Sequence, residues 1–345
     1  MGQGQNKKRM VLPVLFSALF GLAGTVAQAR ASIAVLLEEP YGKLGLVDPS
    51  GHSAVYFDNI CAASPTELRL CQPGELGVVV SRYDNVGGYD WLAMPLLPYL
   101  YSVERVEDIP QTIDREGEIR IRDAYRRTHL ESIAPDMPDG SAPESNWYEL
   151  VGSALDRTIY GFSVKTTPED DAKVVAVFND RKNKQRYNGM FVNCADFVRT
   201  TINMVYPHAI RRNFIADLGM TSPKSAARGL AHYAAKHPDT EFKTFMVPQV
   251  KGNLPRSGKA VVLAEGIVKR YSVPLVILSP ATVGVVLAAY LTQGRFAMPK
   301  DAPELELHDA PKLTMEAGKT KKPVLGSSAE DANGGAAAGD SVAVR

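Results

Sequence analysis

The sequence predicts an α+β domain built on an antiparallel sheet, and three observations carry that prediction. Short apolar runs rich in β-branched residues, 33–38, 51–58 and 76–83, come first, separated by turn residues such as Pro40-Tyr41-Gly42 and Pro49-Ser50-Gly51. Helical periodicity comes later, in segments opened by capping chemistry at Thr167-Pro168-Glu169, Asn193-Cys194-Ala195-Asp196 and Ser222-Pro223. The run 76–83 can return antiparallel to 51–58 across the stretch that holds Cys61 and Cys71, which brings its end back beside His52.

The two ends of the chain set the expected compartment. Lys7-Lys8-Arg9 precedes an apolar run from Met10 to Val26, and Ala27-Gln28-Ala29 has the small-x-small form of a signal-peptidase site. Residues 1–29 therefore read as an export signal, with a retained N-terminal anchor as the alternative. Residues 271–293 are uncharged and of bilayer-spanning length, despite Pro274 and Pro280, and read as a C-terminal transmembrane helix. Residues 296–345 are rich in Ala, Gly, Ser, Asp and Lys without an apolar period, and read as a disordered tail. Residues 30–260 form the expected folded domain, placed in the cell envelope as a periplasmic domain anchored in the inner membrane. The formal charge of +1, with acids and bases interspersed and no basic stripe, gives no nucleic-acid surface. No His/Cys/Asp cluster has ligand spacing, so neither metal nor other cofactor is expected. Nothing in the sequence fixes an oligomeric state.

The elements follow in order. Within 92–104, Pro95 and Pro98 oppose a long helix and a central strand. Residues 114–129 are charged and helical toward their end, where Arg122, Tyr125, Arg126 and His129 share a face that reads as solvated. Residues 134–146 read as a surface loop, 147–155 as a helix and 160–166 as a strand. Thr167 opens a helix that runs to about Asn179, with Val174, Val175, Val177 and Phe178 as its apolar residues. An extended segment over 186–192 leads to the next helix, whose Phe197, Val198, Thr201, Ile202 and Val205 recur at helical spacing until Pro207 supplies a stop. The helix from Ser222-Pro223 turns Ala226, Leu230, Tyr233 and Ala234 inward.

In an oxidising compartment Cys61 and Cys71 can pair and close a short loop, although the other pairings remain open in sequence. Cys194 is then the odd cysteine. Asn193 is a strong N-cap, so Cys194 stands at a helix start, where the helix dipole favours thiolate over thiol and unpaired N–H groups are aimed at a forming anion. Taken alone, a cysteine on a helix entering a core is more often a small buried hydrophobe. A working thiol needs a base. His129 lies in the charged segment, His208 sits behind Pro207, His232 and His237 lie on and at the end of an amphipathic helix, and His308 is in the tail. His52 remains, at the start of a strand.

A strand-initial Gly51-His52 followed much later by Asn193-Cys194-Ala195-Asp196-Phe197-Val198 resembles the circularly permuted branch of the papain-like thiol fold. That branch holds permuted relatives of the NlpC/P60 peptidases and the lecithin:retinol acyltransferase-like proteins. The block from Tyr160 through Cys194 is similar also to the periplasmic N-terminal domain of the Lnb lipoprotein acyltransferases. The resemblance covers residues 33–235, and its motifs are short. It implies Cys194 as nucleophile, His52 as base, and a third polar residue on the strand paired with the His strand. That position falls near 81–84 and holds no histidine; Ser81 is the choice, with Tyr83 and Asp84 beside it. The expected activity is that of a membrane-anchored cysteine hydrolase or acyltransferase working through an acyl-thioester on a lipid ester or a cell-wall amide. The rival expectation is a non-catalytic envelope protein that binds with the same fold.

Overall fold

Six strands form one antiparallel sheet in the computed structural model, which describes residues 31–41, 50–214, 217–262, 265–266, 281, 284, 287–288, 291 and 296–307. In chain order the strands are β1 (Ser32–Glu38), β2 (His52–Phe57), β3 (Ile60–Ser64), β4 (Glu67–Leu70), β5 (Val78–Ser81), β6 (Leu92–Pro95), β7 (Thr112–Ile113), β8 (Ile159–Lys165), β9 (Lys243–Val247) and β10 (Lys251–Gly252). The sheet order is β6-β5-β2-β1-β8-β9, with β3-β4 a separate hairpin and β7-β10 a short parallel pair. β1 is central and covered on both faces, which is why it reads as an unbroken apolar run and not as an alternating one. β2 pairs with β1 in the register Glu38↔His52 to Ile33↔Phe57, and with β5 from Val55↔Val80 to Phe57↔Val78.

The helices are α1 (Leu96–Tyr101), α2 (Arg115–His129), α3 (Ser153–Asp156), α4 (Pro168–Asp180), α5 (Cys194–Val205) and α6 (Pro223–Ala234). α4, α5 and α6 cover one face of the sheet. Val174, Phe178, Phe197, Val198, Ile202, Ala226 and Leu230 pack there on Ile33, Val35, Val55, Phe57, Val80 and Phe162. Each such large side chain contributes about 1.5–3 kcal/mol by leaving water. The opposite face carries Ala34, Leu36, Ala54, Tyr56 and Val79, and is covered by α1, by Tyr125 of α2 and by residues around α3. α4 begins in a full capping box, Thr167 and Asp170 exchanging hydrogen bonds of 3.2 and 3.1 Å.

Several expectations are corrected. Among the described residues no helix is long and apolar enough to cross a membrane, so the C-terminal transmembrane helix is not seen; most of 271–293 lies outside the described residues. The segment expected as an export signal, 1–29, lies wholly outside them. Within 296–307, expected as the start of a disordered tail, Pro303–Leu305 instead lie along the sheet edge: Met246 donates to Pro303 O at 2.9 Å and Leu305 donates to Met246 O at 2.9 Å. An edge strand with unpaired backbone groups accepts such a segment whatever its composition.

The charged face of α2 is not solvated. Arg122 and Arg126 are buried, and Arg122 donates to Val151 O at 2.9 Å and Gly152 O at 3.0 Å while pairing with Glu118 and Asp156. Partners remote in sequence supply what solvent was expected to supply. The helix expected over 147–155 is a 3-10 turn, Asn146–Leu150, followed by short α3, because Gly152 adopts φ +76° where a Cβ would lie 2.6 Å from Ser102 Oγ. The extended segment expected over 186–192 is a tight turn closed by an Asn188↔Val192 bridge.

Candidate active site

The site is built at the mouths of two elements. Asn193 caps α5, its Oδ1 accepting from Asp196 N–H at 2.8 Å, while its Nδ2 donates to Gly189 O at 3.2 Å and Thr221 O at 3.1 Å. One side chain thus starts the helix and ties it to the approaching turn and to the segment before α6. The first intrahelical bond runs from Phe197 N–H to Asn193 O at 3.0 Å, so the N–H groups of Cys194 and Ala195 lie ahead of the helical ladder. Cys194 is not crosslinked and is 9% exposed.

His52 is the first residue of β2, and its position depends on the residue before it. Gly51 has φ +77°, and a Cβ there would fall 2.1 Å from Glu38 O, so the chain enters β2 at this angle only with glycine. β5 ends at Ser81, leaving the start of β2 without a ladder partner on that side. Ser81 Oγ donates to Ser53 O at 2.8 Å and lies 3.0 Å from His52 Nε2. Its one proton is committed to the carbonyl, so Ser81 accepts from Nε2–H. That leaves Nδ1 with a lone pair in the neutral ring. Tyr83 stacks on the imidazole at 5.2 Å and 19°. Asp84 is exposed and accepts from Gln185 Nε2 at 3.1 Å, away from His52.

The structure brings Cys194, His52 and Ser81 together. Burial raises the Cys194 thiol, but the charge of His52 and its hydrogen bond, with donors from Ser53, outweigh this and hold the thiol below its ordinary value of 9.0. Burial lowers His52, and Cys194, Glu38 and Glu149 oppose it strongly enough to bring it up to about 9. Both shifts favour a thiolate–imidazolium pair at neutral pH. The other described histidines are engaged elsewhere or exposed: His129 faces Glu104 at 3.3 Å, His237 meets Tyr233 O at 2.8 Å, and His208 points outward from a loop. His308 lies outside the described residues.

Sequence reasoning missed the charged layer behind the imidazole. Glu38, fully buried opposite His52, accepts from Tyr99 Oη and from Ser153 Oγ at 3.0 Å and pairs with Arg157 at 3.3 Å. Arg157 also binds Glu149 and lies 4.3 Å over the Tyr41 ring, whose hydroxyl donates to Glu149 at 3.0 Å. A glutamate closing an otherwise apolar central strand was the available signal. Cys61, Cys71 and Glu75 come within ligand distance of one another, but the two sulfurs are joined in a disulfide and Glu75 is held by Arg69 at 2.5 Å, so this group offers no thiolate to a metal. Compared with family models, curated proteins and solved structures, the chain matches none.

Proposed function

We propose that the protein is a cysteine-dependent hydrolase or acyltransferase in which Cys194 is the nucleophile and His52 the base. The observation that carries this reading is the meeting of a helix-start thiol and an oriented imidazole, each shifted toward its charged form by the other. His52 Nδ1 takes the thiol proton, and Cys194 Sγ attacks the substrate carbonyl carbon. The carbonyl electron pair moves onto oxygen, beside the unbonded N–H groups at the start of α5. On collapse the leaving group takes the proton from His52, and an acyl-thioester remains for water or another acceptor. Ser81 keeps the ring in the tautomer that this sequence needs. The order of His strand before Cys helix agrees with the permuted papain-like resemblance, and the Cys61–Cys71 crosslink supports residence in an oxidising cell-envelope compartment.

The surroundings of the thiol favour an acyl chain over a polar cell-wall peptide. Met190 and Phe191 stand exposed on the turn just before Asn193, and Phe214 and Leu218 stand exposed nearby. Arg212 joins the two groups, donating to Phe191 O at 3.0 Å, Gly219 O at 3.3 Å and Asp196 Oδ1 at 2.8 Å. Exposed large apolar side chains gathered beside a nucleophile suit an apolar ligand. The test is reaction with p-nitrophenyl esters of two-carbon and twelve-carbon acids, read by nitrophenol burst and by intact mass. Acylation of the wild type but not of Cys194→Ser, faster with the longer chain, is expected. Alkylation of Cys194 without acylation by either ester would leave the binding-protein reading in its place.

A further inference from the structure

Ser53 follows the base in sequence and lies on the other face of β2. Alternation turns it to the side of Val55 and Phe57, the face on which Phe197 and Val198 of α5 pack. It is fully buried, and its Oγ has no hydrogen-bond partner among the described residues. A buried hydroxyl left so costs on the order of 1–3 kcal/mol unless another group takes its proton. The hydroxyl and the backbone N–H of Ser53 both act to lower the Cys194 thiol, which makes that sulfur the group able to take the free hydroxyl proton once it is ionised. That N–H is available because β5 pairs with β2 only from Val55 onward. The carbonyl of the same residue receives Ser81 Oγ–H at 2.8 Å.

We propose that Ser53 holds the Cys194 thiolate from beneath, its hydroxyl and backbone N–H both donating to Sγ, while its carbonyl fixes the Ser81–His52 arm. One residue then sets both partners of the pair. Because Ser53 is closed to solvent, it acts on the resting thiolate and not on the substrate oxygen. The inference rests on Cys194 working as a thiolate, as proposed above, but it does not require an acyl substrate. The charged groups facing the pair are His52 itself, Glu38 and Glu149 behind the imidazole, and Asp196 on α5, which is tied to Arg199 and Arg212.

The experiment is the rate of Cys194 alkylation by iodoacetamide across pH 4–11 in the full chain, for wild type, Ser53→Ala and Ser53→Thr. Loss of the hydroxyl is expected to move the midpoint up by about one pH unit, a loss of roughly tenfold at pH 6, with the limiting rate at high pH retained. Ser53→Thr, which restores a hydroxyl, is expected to return the midpoint toward wild type. A midpoint unchanged in Ser53→Ala overturns the proposal, as does a uniform fall at every pH, which would mark a packing role only. The p-nitrophenyl ester assay separates this outcome from the fate of the acyl-transfer reading. A shifted midpoint with no acylation of the wild type keeps Ser53 and removes the acyltransferase, whereas acylation with an unshifted midpoint does the reverse.

Discussion

The chain uses its three sulfurs in two ways. Cys61 and Cys71 sit on and just after the two strands of the β3-β4 hairpin, crosslinked over a sequence separation of 10, and contribute only constraint. Cys194 stands at the mouth of α5, beside an imidazole from β2, and is held toward thiolate. The side chain is the same in both regions, and what differs is where its protein neighbours place protons. A hairpin offers a cysteine another cysteine at disulfide distance, whereas a helix start beside a histidine offers it a positive field.

The largest effect that would break this contrast is loss of the imidazole. His52→Ala is expected to return the Cys194 thiol upward toward or past 9.0 and to slow its alkylation at pH 7 by about tenfold to a hundredfold. In the wild type, ester turnover is expected to follow a bell against pH. It rises as Cys194 deprotonates at a midpoint below 9.0, and falls as His52 loses its proton near about 9, since the acid that serves the leaving group is then gone. A rate that climbs through pH 9 without a maximum would show that the imidazolium is not used.

On stability rather than on thiol reactivity, the largest effect is that of Glu38→Ala, which removes a buried carboxylate from Arg157, Tyr99 and Ser153 together. Leaving those partners unanswered is expected to cost about 3–5 kcal/mol in urea unfolding. A loss below about 1 kcal/mol would mean that water replaces the carboxylate. Replacing both Cys61 and Cys71 by serine has the next smaller effect on stability, at about 2.7 kcal/mol from the loop they close. The Cys194 alkylation profile is expected to stay as it is in that variant. A change there would show that the two regions are coupled and not separate.

How much of this is legible in the sequence follows from the reach of each interaction. The strands β1, β2, β5 and β8 and the starts of α4, α5 and α6 can be read because apolar runs and caps act over a few residues. Cys194 at a helix mouth is legible from Asn193, and the need for Gly51 before His52 lies in the local backbone. The burial of Arg122 and Arg126 is not legible, since their partners include the carbonyls of Val151, Gly152 and Ala134 and the carboxylates of Asp156 and Asp136. Nor is the addition of Pro303–Leu305 at the edge of β9, which depends on an unpaired strand and not on side chains. The Glu38 layer hides for the same reason: its members come from β1, α1, the 3-10 turn, α3 and the residue after it.

The smallest effect sharpens the contrast most, because it separates the cap from the field it creates. Asn193→Asp keeps an oxygen acceptor for Asp196 N–H, so the helix start survives. It gives up the Nδ2 donors to Gly189 O and Thr221 O and places a negative charge one residue before the sulfur. Unfolding free energy is expected to change by about 1 kcal/mol or less, while Cys194 alkylation at pH 6 slows about threefold to tenfold as the thiolate loses favour. Asn193→Ala is expected to do the opposite, costing about 1 kcal/mol of stability through the lost cap with a smaller change in the thiol. Equal effects of the two variants on alkylation would mean that the position of the helix start, and not its field, sets the thiolate. The contrast with Cys61 and Cys71 would then rest on geometry alone.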